Sequence, residues 1–288
     1  MTATREPHRG DTGVAEIWED VIRFGDAGQL VGIVARPEHA LAPAPAVVIL
    51  NAGVLHRVGP HRLHVVLARR LAELGVSSLR LDLGGIGDSV ASSDATTFRE
   101  SAVADTRLAL AGFGAKRYVI FGVCAGADNA LATAVVDDRV AGIVLVDPYV
   151  YKNRRSQLRA AAGKLRALGA RETVRRGIRV VERTVRAKLA RETDDDDEQS
   201  GGREAPPIAS YRADLNKLVA RGVRILAVYS GAHGAKYNHA DQLFELFPEL
   251  RGKVERAYFP DANHTFTERD AQAELVTTAA AWIAGLTA

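Results

Sequence analysis

The chain has 288 residues, of which 47% are hydrophobic and 25% charged, as is typical of a globular protein with a large buried core. Its net charge of +3 is too small to indicate a polyanionic partner, and its one cysteine excludes an internal disulfide. Nothing resembles a Cys/His zinc cluster, a signal peptide or a membrane span, so we predict a cytoplasmic protein that needs no metal or other cofactor.

Short apolar runs alternate with helical patterns along most of the chain. The predicted strands are 16–24, 30–36, 46–50, 76–81, 118–121, 140–146, 223–229 and 254–259. The predicted helices are 61–74, 101–112, one that begins at about 125, 208–220, 241–246 and 268–285. The first two strands form an antiparallel pair, and the strands after them are apolar throughout. This order predicts a mostly parallel eight-stranded sheet flanked by helices.

The alternation stops after the sixth predicted strand and resumes at the seventh. The segment between them contains Lys152–Arg191, a helical pattern with 14 Lys or Arg and two Glu. An acidic run, residues 193–202, follows it and is expected to be mobile. We therefore predict a helical cap, residues 149–221, inserted over the carboxyl edge of the sheet. The core would consist of residues 1–148 and 222–288.

The most informative stretch is the tight turn from Gly122 to Gly126, between a buried strand and a small-residue helix. It reads G-x-C-x-G, with cysteine at the place where G-x-S-x-G turns carry a nucleophilic serine. Small flanking residues permit the strained backbone that points the central side chain out of the sheet. We predict that Cys124 is a nucleophile. The alternative is a buried structural cysteine, which is the commoner state of a lone cysteine.

The order of predicted strands and helices resembles the α/β-hydrolase fold across nearly the whole chain. Three stretches carry a narrower resemblance: VGPHR at 58–62, RLDLGGIGDS at 80–89, and the cysteine-bearing turn. They are similar in particular to serine-aminopeptidase-like hydrolases. Among these, they resemble the exosortase-A-system-associated hydrolases, some of which also carry cysteine at this turn. The resemblance implies an α/β-hydrolase fold with an inserted helical cap and a hydrolase activity, and it leaves the substrate open.

The predicted general base is His264, which follows the last predicted strand, where this fold places its catalytic histidine. In the resembling family the acid usually follows the seventh strand, but His233 stands there in this chain. Asp147, directly after the sixth strand, is the predicted acid instead. Asp241, or no acid at all, remains an alternative, because a thiol depends less than a hydroxyl on an oriented base.

An oxyanion hole needs two backbone amides that point to one place. The N–H of Ala125, directly after the predicted nucleophile, is the first candidate. The second is the N–H of Val54, or else of Gly53, in the loop after the third strand. His56 and His61 flank this loop and are candidate substrate contacts, although a structural role explains each of them as well.

These features predict an enzyme that cleaves or transfers an acyl group of a thioester or carboxylic ester through an acyl-enzyme. The alternative is a non-catalytic binding protein that holds an acidic partner on its basic cap. The basic residues of the cap have three interpretations: a solvated helical face, a docking surface for an acyl carrier protein or coenzyme A, or contact with an anionic membrane surface. Nucleic acid is not expected as a partner, because the chain lacks aromatic interleaving and any known binding motif.

Overall fold

The computed structural model describes residues 17–25, 27–40, 44–91, 97–163, 165–166, 205–234 and 236–287. Its strands are β1 (Trp18–Phe24), β2 (Leu30–Arg36), β3 (Ala46–Ile49), β4 (Ser78–Asp82), β5 (Tyr118–Val123), β6 (Val140–Val146), β7 (Arg224–Ser230) and β8 (Glu255–Phe259). Its helices are α1 (Leu63–Glu73), α2 (Phe98–Phe113), α3 (Ala125–Val136), α4 (154–163), α5 (Ile208–Ala220), α6 (Gln242–Leu246) and α7 (Arg269–Ala284). Short 3₁₀ turns lie at Pro60–Arg62, Gly231–His233, Pro248–Leu250 and Gly285–Thr287.

The eight strands form one sheet in the order β1-β2-β4-β3-β5-β6-β7-β8. β2 pairs with β1 and β4 in antiparallel orientation, and the pairs from β4 to β8 are parallel. All residues of β3 and β5 are buried, because helices cover both faces of the sheet. The predicted eight-stranded, mostly parallel sheet is therefore confirmed.

The side chains of β3 show how the two faces are filled. Ala46 and Val48 belong to the apolar cluster that α2, α3 and α5 complete, whereas Val47 and Ile49 belong to the cluster of α1 and α7. Successive residues of a strand point to opposite faces, so a continuous apolar run supplies both clusters. The predicted strand at β3 thus contributes side chains to the clusters on both faces of the sheet.

Helix α2 begins at Phe98, three residues before its predicted start. The Thr97 side chain accepts a hydrogen bond from the backbone N–H of Glu100, and the Glu100 side chain accepts one from the N–H of Thr97. This reciprocal capping box satisfies amides that would otherwise lack partners in the first turn. Gly114, with φ of 79°, ends the same helix.

The helix at the end of the predicted cap lies in the core. α5 buries Tyr211, Leu215 and Leu218 in the same cluster as α3, and Arg221 at its end donates to the carbonyl of Ala134. Since β6 and β7 are parallel neighbours, α5 is their crossover helix and lies on a face of the sheet. Of the predicted cap, residues 149–221, the part that forms α5 therefore packs with the core.

The first helix of the predicted cap is tied to the segment after β7. Arg159 of α4 donates to both carboxylate oxygens of Glu245 in α6, at 2.9 and 3.0 Å, and to the side-chain oxygen of Asn238 at 2.8 Å. These contacts fix α4 relative to α6. Most of the basic residues of Lys152–Arg191 and the whole acidic run 193–202 lie outside the described residues. Among the helices described, none has the length and apolar character needed to cross a bilayer.

Candidate active site

The turn after β5 has the geometry that its two glycines make possible. Cys124 has φ of 57° and ψ of −121° and is the N-cap residue of α3. A Cβ on Gly122 would lie 2.1 Å from the carbonyl oxygen of Gly126, and a Cβ on Gly126 would lie 2.5 Å from the carbonyl oxygen of Asn51. No side chain fits at either position. The tight turn predicted here is present, and it directs Cys124 toward the carboxyl edge of the sheet.

Cys124 and Asp147 end two neighbouring strands at the same level. Val123 and Val146 are paired in the register of β5 and β6, and Cys124 and Asp147 are the residues that follow them. The N–H of Cys124 donates to the Val146 carbonyl at 2.9 Å, and the N–H of Asp147 donates to the Val228 carbonyl at 2.8 Å. Asp147, like Cys124, has a positive φ, 47°. The sheet therefore holds both backbones in strained conformations.

The carboxylate of Asp147 is completely buried and fully hydrogen-bonded. One oxygen, Oδ1, accepts from the backbone N–H of Ser230 at 2.7 Å. The other, Oδ2, accepts from the Ser230 hydroxyl at 2.6 Å and faces Nδ1 of His264 at 2.8 Å. A buried charge is stable only with such partners. Asp147 is therefore the carboxylate within hydrogen-bonding reach of the His264 ring.

The loop that carries His264 crosses tightly over the end of β7. The N–H of Gly231 donates to the carbonyl of Ala262 at 3.0 Å, and a Cβ on Gly231 would lie 1.9 Å from the carbonyl oxygen of Pro260. Phe266, fully buried two residues beyond His264, anchors the loop from below. This close approach brings the histidine from β8 to the ends of β5 and β6.

His264 is hydrogen-bonded to both Asp147 and Cys124. The bond to Asp147, then the bond to Cys124, raise the pKa of His264 to about 10, while partial burial opposes the shift. Because Nδ1 faces Asp147, the other ring nitrogen, Nε2, faces the thiol. The raised pKa favours the imidazolium form of the His264 ring, and a positive charge beside a thiol favours its thiolate.

The structure also shows where the alternative acid, Asp241, lies, and where His233 lies at the family's usual acid position. Asp241 is ion-paired with Arg256 at 2.6 Å on the surface of the molecule and makes no described contact with His264. His233, which stands where the resembling family has its acid, packs its ring edge-on against His264, with ring centroids 5.3 Å apart. Nitrogen and oxygen atoms of Asp147, His233 and His264 lie within 4.8 Å of one another, as in some metal sites. The hydrogen bond to Asp147 holds His264 in this group, and the ring contact with His264 brings in His233.

The loop after β3 lies beside the first turn of α3, as the contact between Gly126 and Asn51 shows. Gly53 has φ of 59°, and Val54 is 85% exposed. Within the part of the chain that the structure describes, the amides of Val54, Gly53 and Ala125 donate to no protein acceptor. An oxyanion hole formed by these amides stays a prediction.

His56 and His61 are both exposed, and neither has a described contact with Cys124 or His264. His61 lies in the 3₁₀ turn before α1 with φ of 47°, and its carbonyl accepts from Gln272 of α7 at 3.3 Å. These backbone features give His61 a structural role at the start of α1. A substrate contact by either side chain stays a prediction.

Ser230 is the residue of this site that the sequence analysis missed. It donates twice to Asp147 and also caps the 3₁₀ turn that carries His233, because its hydroxyl accepts from the N–H of Ala232 at 3.3 Å. The available signal was its place at the end of β7, since parallel neighbours bring their carboxyl ends to one edge.

The rate at which iodoacetamide alkylates Cys124 is expected to change little between about pH 6.5 and 8.5. His264 stays protonated below its pKa of about 10, so its charge keeps the thiolate populated throughout this range. An ordinary thiol, with a pKa of about 8.5, would instead lose thiolate tenfold per unit toward lower pH. The measurement is the second-order rate constant by intact mass at a series of pH values. A tenfold fall per unit in the wild type would contradict the ion pair.

Comparisons with known proteins agree with this fold. The family model described as alpha/beta hydrolase fold matches residues 45–217, more than half of the chain. An esterase from Pyrococcus furiosus superposes with a TM-score of 0.56 at 12% identity, over 98% of this chain and 90% of that one. A proline iminopeptidase from Mycobacterium smegmatis gives 0.53 at 18% identity, over 92% and 97%. An epoxide hydrolase from Vigna radiata gives 0.53 at 13% identity, over 93% and 98%. None of the curated proteins compared with the chain matches it.

Proposed function

Because the chain belongs to the alpha/beta hydrolase fold family, we propose that it is a hydrolase that cleaves thioesters or carboxylic esters through an acyl-enzyme on Cys124. The observation that carries the proposal is the hydrogen-bonded chain from Asp147 through His264 to Cys124. It has the three roles of a catalytic triad, in which an acid orients a base and the base contacts a nucleophile.

In the first half of the proposed reaction, the Cys124 thiolate attacks the acyl carbonyl carbon. The negative charge that develops on the carbonyl oxygen is stabilised by the amides of Ala125 and Val54 at the start of α3 and in the loop beside it. As the tetrahedral intermediate collapses, the bond to the leaving group breaks, and His264 gives its proton to the departing oxygen or sulfur. The products are a free alcohol or thiol and an S-acyl cysteine.

In the second half, His264 is neutral and takes a proton from water, which attacks the S-acyl carbonyl. The carboxylic acid leaves, and the thiolate and imidazolium are restored. Asp147 keeps the ring in the orientation with Nδ1 toward its own carboxylate throughout both halves. An amine or alcohol that replaced water at this step would give acyl transfer instead.

The chemistry of the nucleophile supports thioesters and activated esters over amides. A thiolate is a better leaving group than an amine anion or most alkoxides, so the intermediate formed from an amide mainly returns to reactants. Val54 and Leu55 expose apolar surface next to the proposed oxyanion amide, at 85% and 44% exposure. This surface supports contact with an apolar acyl group.

The subfamily, the docking partner, the cellular location and the absence of a cofactor stay predictions. The likeness to the serine-aminopeptidase-like and exosortase-A-system-associated hydrolases depends on short sequence stretches. Docking of an acyl carrier protein or coenzyme A depends on basic residues of Lys152–Arg191 that mostly lie outside the described residues. The cytoplasmic location and the absence of a cofactor are likewise sequence-based expectations.

The experiment that tests the proposal is intact-mass spectrometry of the protein mixed with a panel of acyl thioesters and p-nitrophenyl esters. We expect an acyl adduct that maps by peptide analysis to Cys124, or rapid release of the leaving group, with a preference among chain lengths. Iodoacetamide labelling in parallel reports whether the thiol is reactive. A thiol that neither alkylates nor acylates would contradict the proposal and favour the non-catalytic binding protein.

A further inference from the structure

The loop from Asn51 to Arg57 carries the proposed oxyanion amide of Val54 and has little hydrogen bonding within its tip. Its internal backbone bond joins the N–H of Leu55 to the carbonyl of Ala52, at 3.2 Å. An amide in such a loop points to a defined place only if the two ends of the loop are held. The side chains at both ends provide this support.

Asp82, the last residue of β4, is the centre of the support. Its side chain is fully buried. Oδ1 accepts from the Asn51 side-chain amide at 3.1 Å and from the backbone N–H of Arg57 at 2.6 Å. Oδ2 accepts from the guanidinium of Arg57 and from the N–H of Asp88 at 3.2 Å. One carboxylate therefore binds the first and last residues of the loop.

Arg57 also reaches a second carboxylate. Its guanidinium contacts Asp88 at 2.6 Å as well as Asp82, and the side chain is only 16% exposed. Both charges stay paired, because the fork of a guanidinium can serve two carboxylates at once. Asn51 completes the arrangement: its side chain donates to the Leu55 carbonyl at 2.9 Å and accepts from the N–H of Leu83 at 2.8 Å.

We propose that Arg57 is a positioning residue for the oxyanion hole, which it serves by bridging Asp82 and Asp88 and so holding the amide of Val54 in place. The proposal depends on the acyl-enzyme function given above. Without the guanidinium, the buried carboxylate of Asp82 loses its charged partner, and the loop keeps its backbone bond to Asp82 alone at that end. The cysteine and histidine, which other elements hold, are not affected.

The test is Arg57→Met, measured by two reactions of the same thiol. Acylation by the best ester or thioester passes through an oxyanion, whereas alkylation by iodoacetamide is a direct displacement at carbon without one. We expect acylation to slow by about 10²-fold, the usual effect of a lost oxyanion-hole donor, and alkylation to stay within about twofold. Arg57→Lys should recover only part of the acylation rate. An ammonium ion keeps the positive charge beside the carboxylates, but it lacks the guanidinium fork that bridges Asp82 and Asp88.

Two further variants keep the test decisive. Asp88→Asn changes a side chain that is 65% exposed and should lower acylation several-fold without disturbing the fold. Arg139→Met is the matched control. The Arg139 guanidinium pairs at 2.7 Å with the buried carboxylate of Asp137, which lies just beyond the carboxyl end of α3 and away from the site. It should change neither reaction.

The proposal is overturned if Arg57→Met and Asp88→Asn acylate at the wild-type rate. It is equally overturned if acylation and alkylation fall together, since that result places the damage at Cys124 and His264 or in the fold. A wild type whose thiol is neither acylated nor alkylated refutes the acyl-enzyme function itself and removes the basis of this proposal. The wild-type measurement tests the proposed function and the variants test the role of Arg57, so failure of the one can be distinguished from failure of the other.

Discussion

Cys124→Ala is expected to lower kcat by about 10³-fold or more on any ester or thioester that the wild type turns over. The variant retains Asp147, His264 and the amides of the loop, so the residual rate measures what these groups achieve without a covalent intermediate. The measurement is steady-state turnover, with intact mass to show that the acyl adduct is gone. Turnover at the wild-type rate would show that the thiol takes no part.

Cys124→Ser is the matched control for this result, because serine keeps the size and the hydrogen bond but not the acidity of the side chain. A serine hydroxyl must give up its proton to His264 at each attack, whereas the proposed mechanism starts from a thiol that is already ionised beside the imidazolium. We expect a rate between those of the alanine variant and the wild type. A serine variant faster than the wild type would show that the site is not adapted to a thiolate.

Asp147→Asn is expected to lower kcat by about 10²- to 10³-fold, less than the roughly 10⁴-fold effect of the same change in a serine triad, because a thiol depends less than a hydroxyl on an oriented base. The amide can no longer accept from Ser230 and from Nδ1 of His264 with both oxygens, and its NH₂ group favours the wrong tautomer of the ring. The hydrogen bond to Asp147 is also the largest cause of the raised pKa of His264, so that pKa should fall. Alkylation of Cys124 should then slow toward neutral pH, like that of an ordinary thiol.

Asp241→Asn is the control for the acid. Asp241 was the open alternative in the sequence, but it is paired with Arg256 and Arg251 on the surface. Its replacement should leave kcat within about twofold, as expected of an exposed ion pair. A large loss in Asp241→Asn together with a small loss in Asp147→Asn would reverse the assignment.

Much of the fold was predictable because local patterns determine it. Short apolar runs such as 140–146, rich in β-branched residues, favour strands covered on both faces, and the glycines at 122 and 126 mark a turn in which no side chain fits. The position of α5 was not predictable in this way. Its buried residues, such as Leu215, alternate with charged ones as they would in a cap helix, and only the parallel pairing of β6 and β7 makes it a crossover helix.

The residues of the candidate site also differ in whether the sequence alone predicts them. Cys124 and His264 stand at fixed places relative to strand ends and could be found from spacing. The contact of Ser230 with Asp147 joins residues 83 positions apart and depends on the register of β6 and β7, which a single sequence does not state. The bridge from Arg57 to Asp82 depends in the same way on the pairing of β3 with β4.

The position of Asp147 on β6 has a consequence for how this protein can diverge. Cys124 and Asp147, the proposed nucleophile and acid, follow neighbouring strands of the sheet, so β7 has to supply only its last residue, Ser230, to the carboxylate. Residues from His233 to Asp241 therefore do not have to include the acid. Substitutions from Asn238 to Asp241 are therefore expected to leave the proposed acid, Asp147, in place, which makes this stretch a suitable place for libraries that seek new substrates.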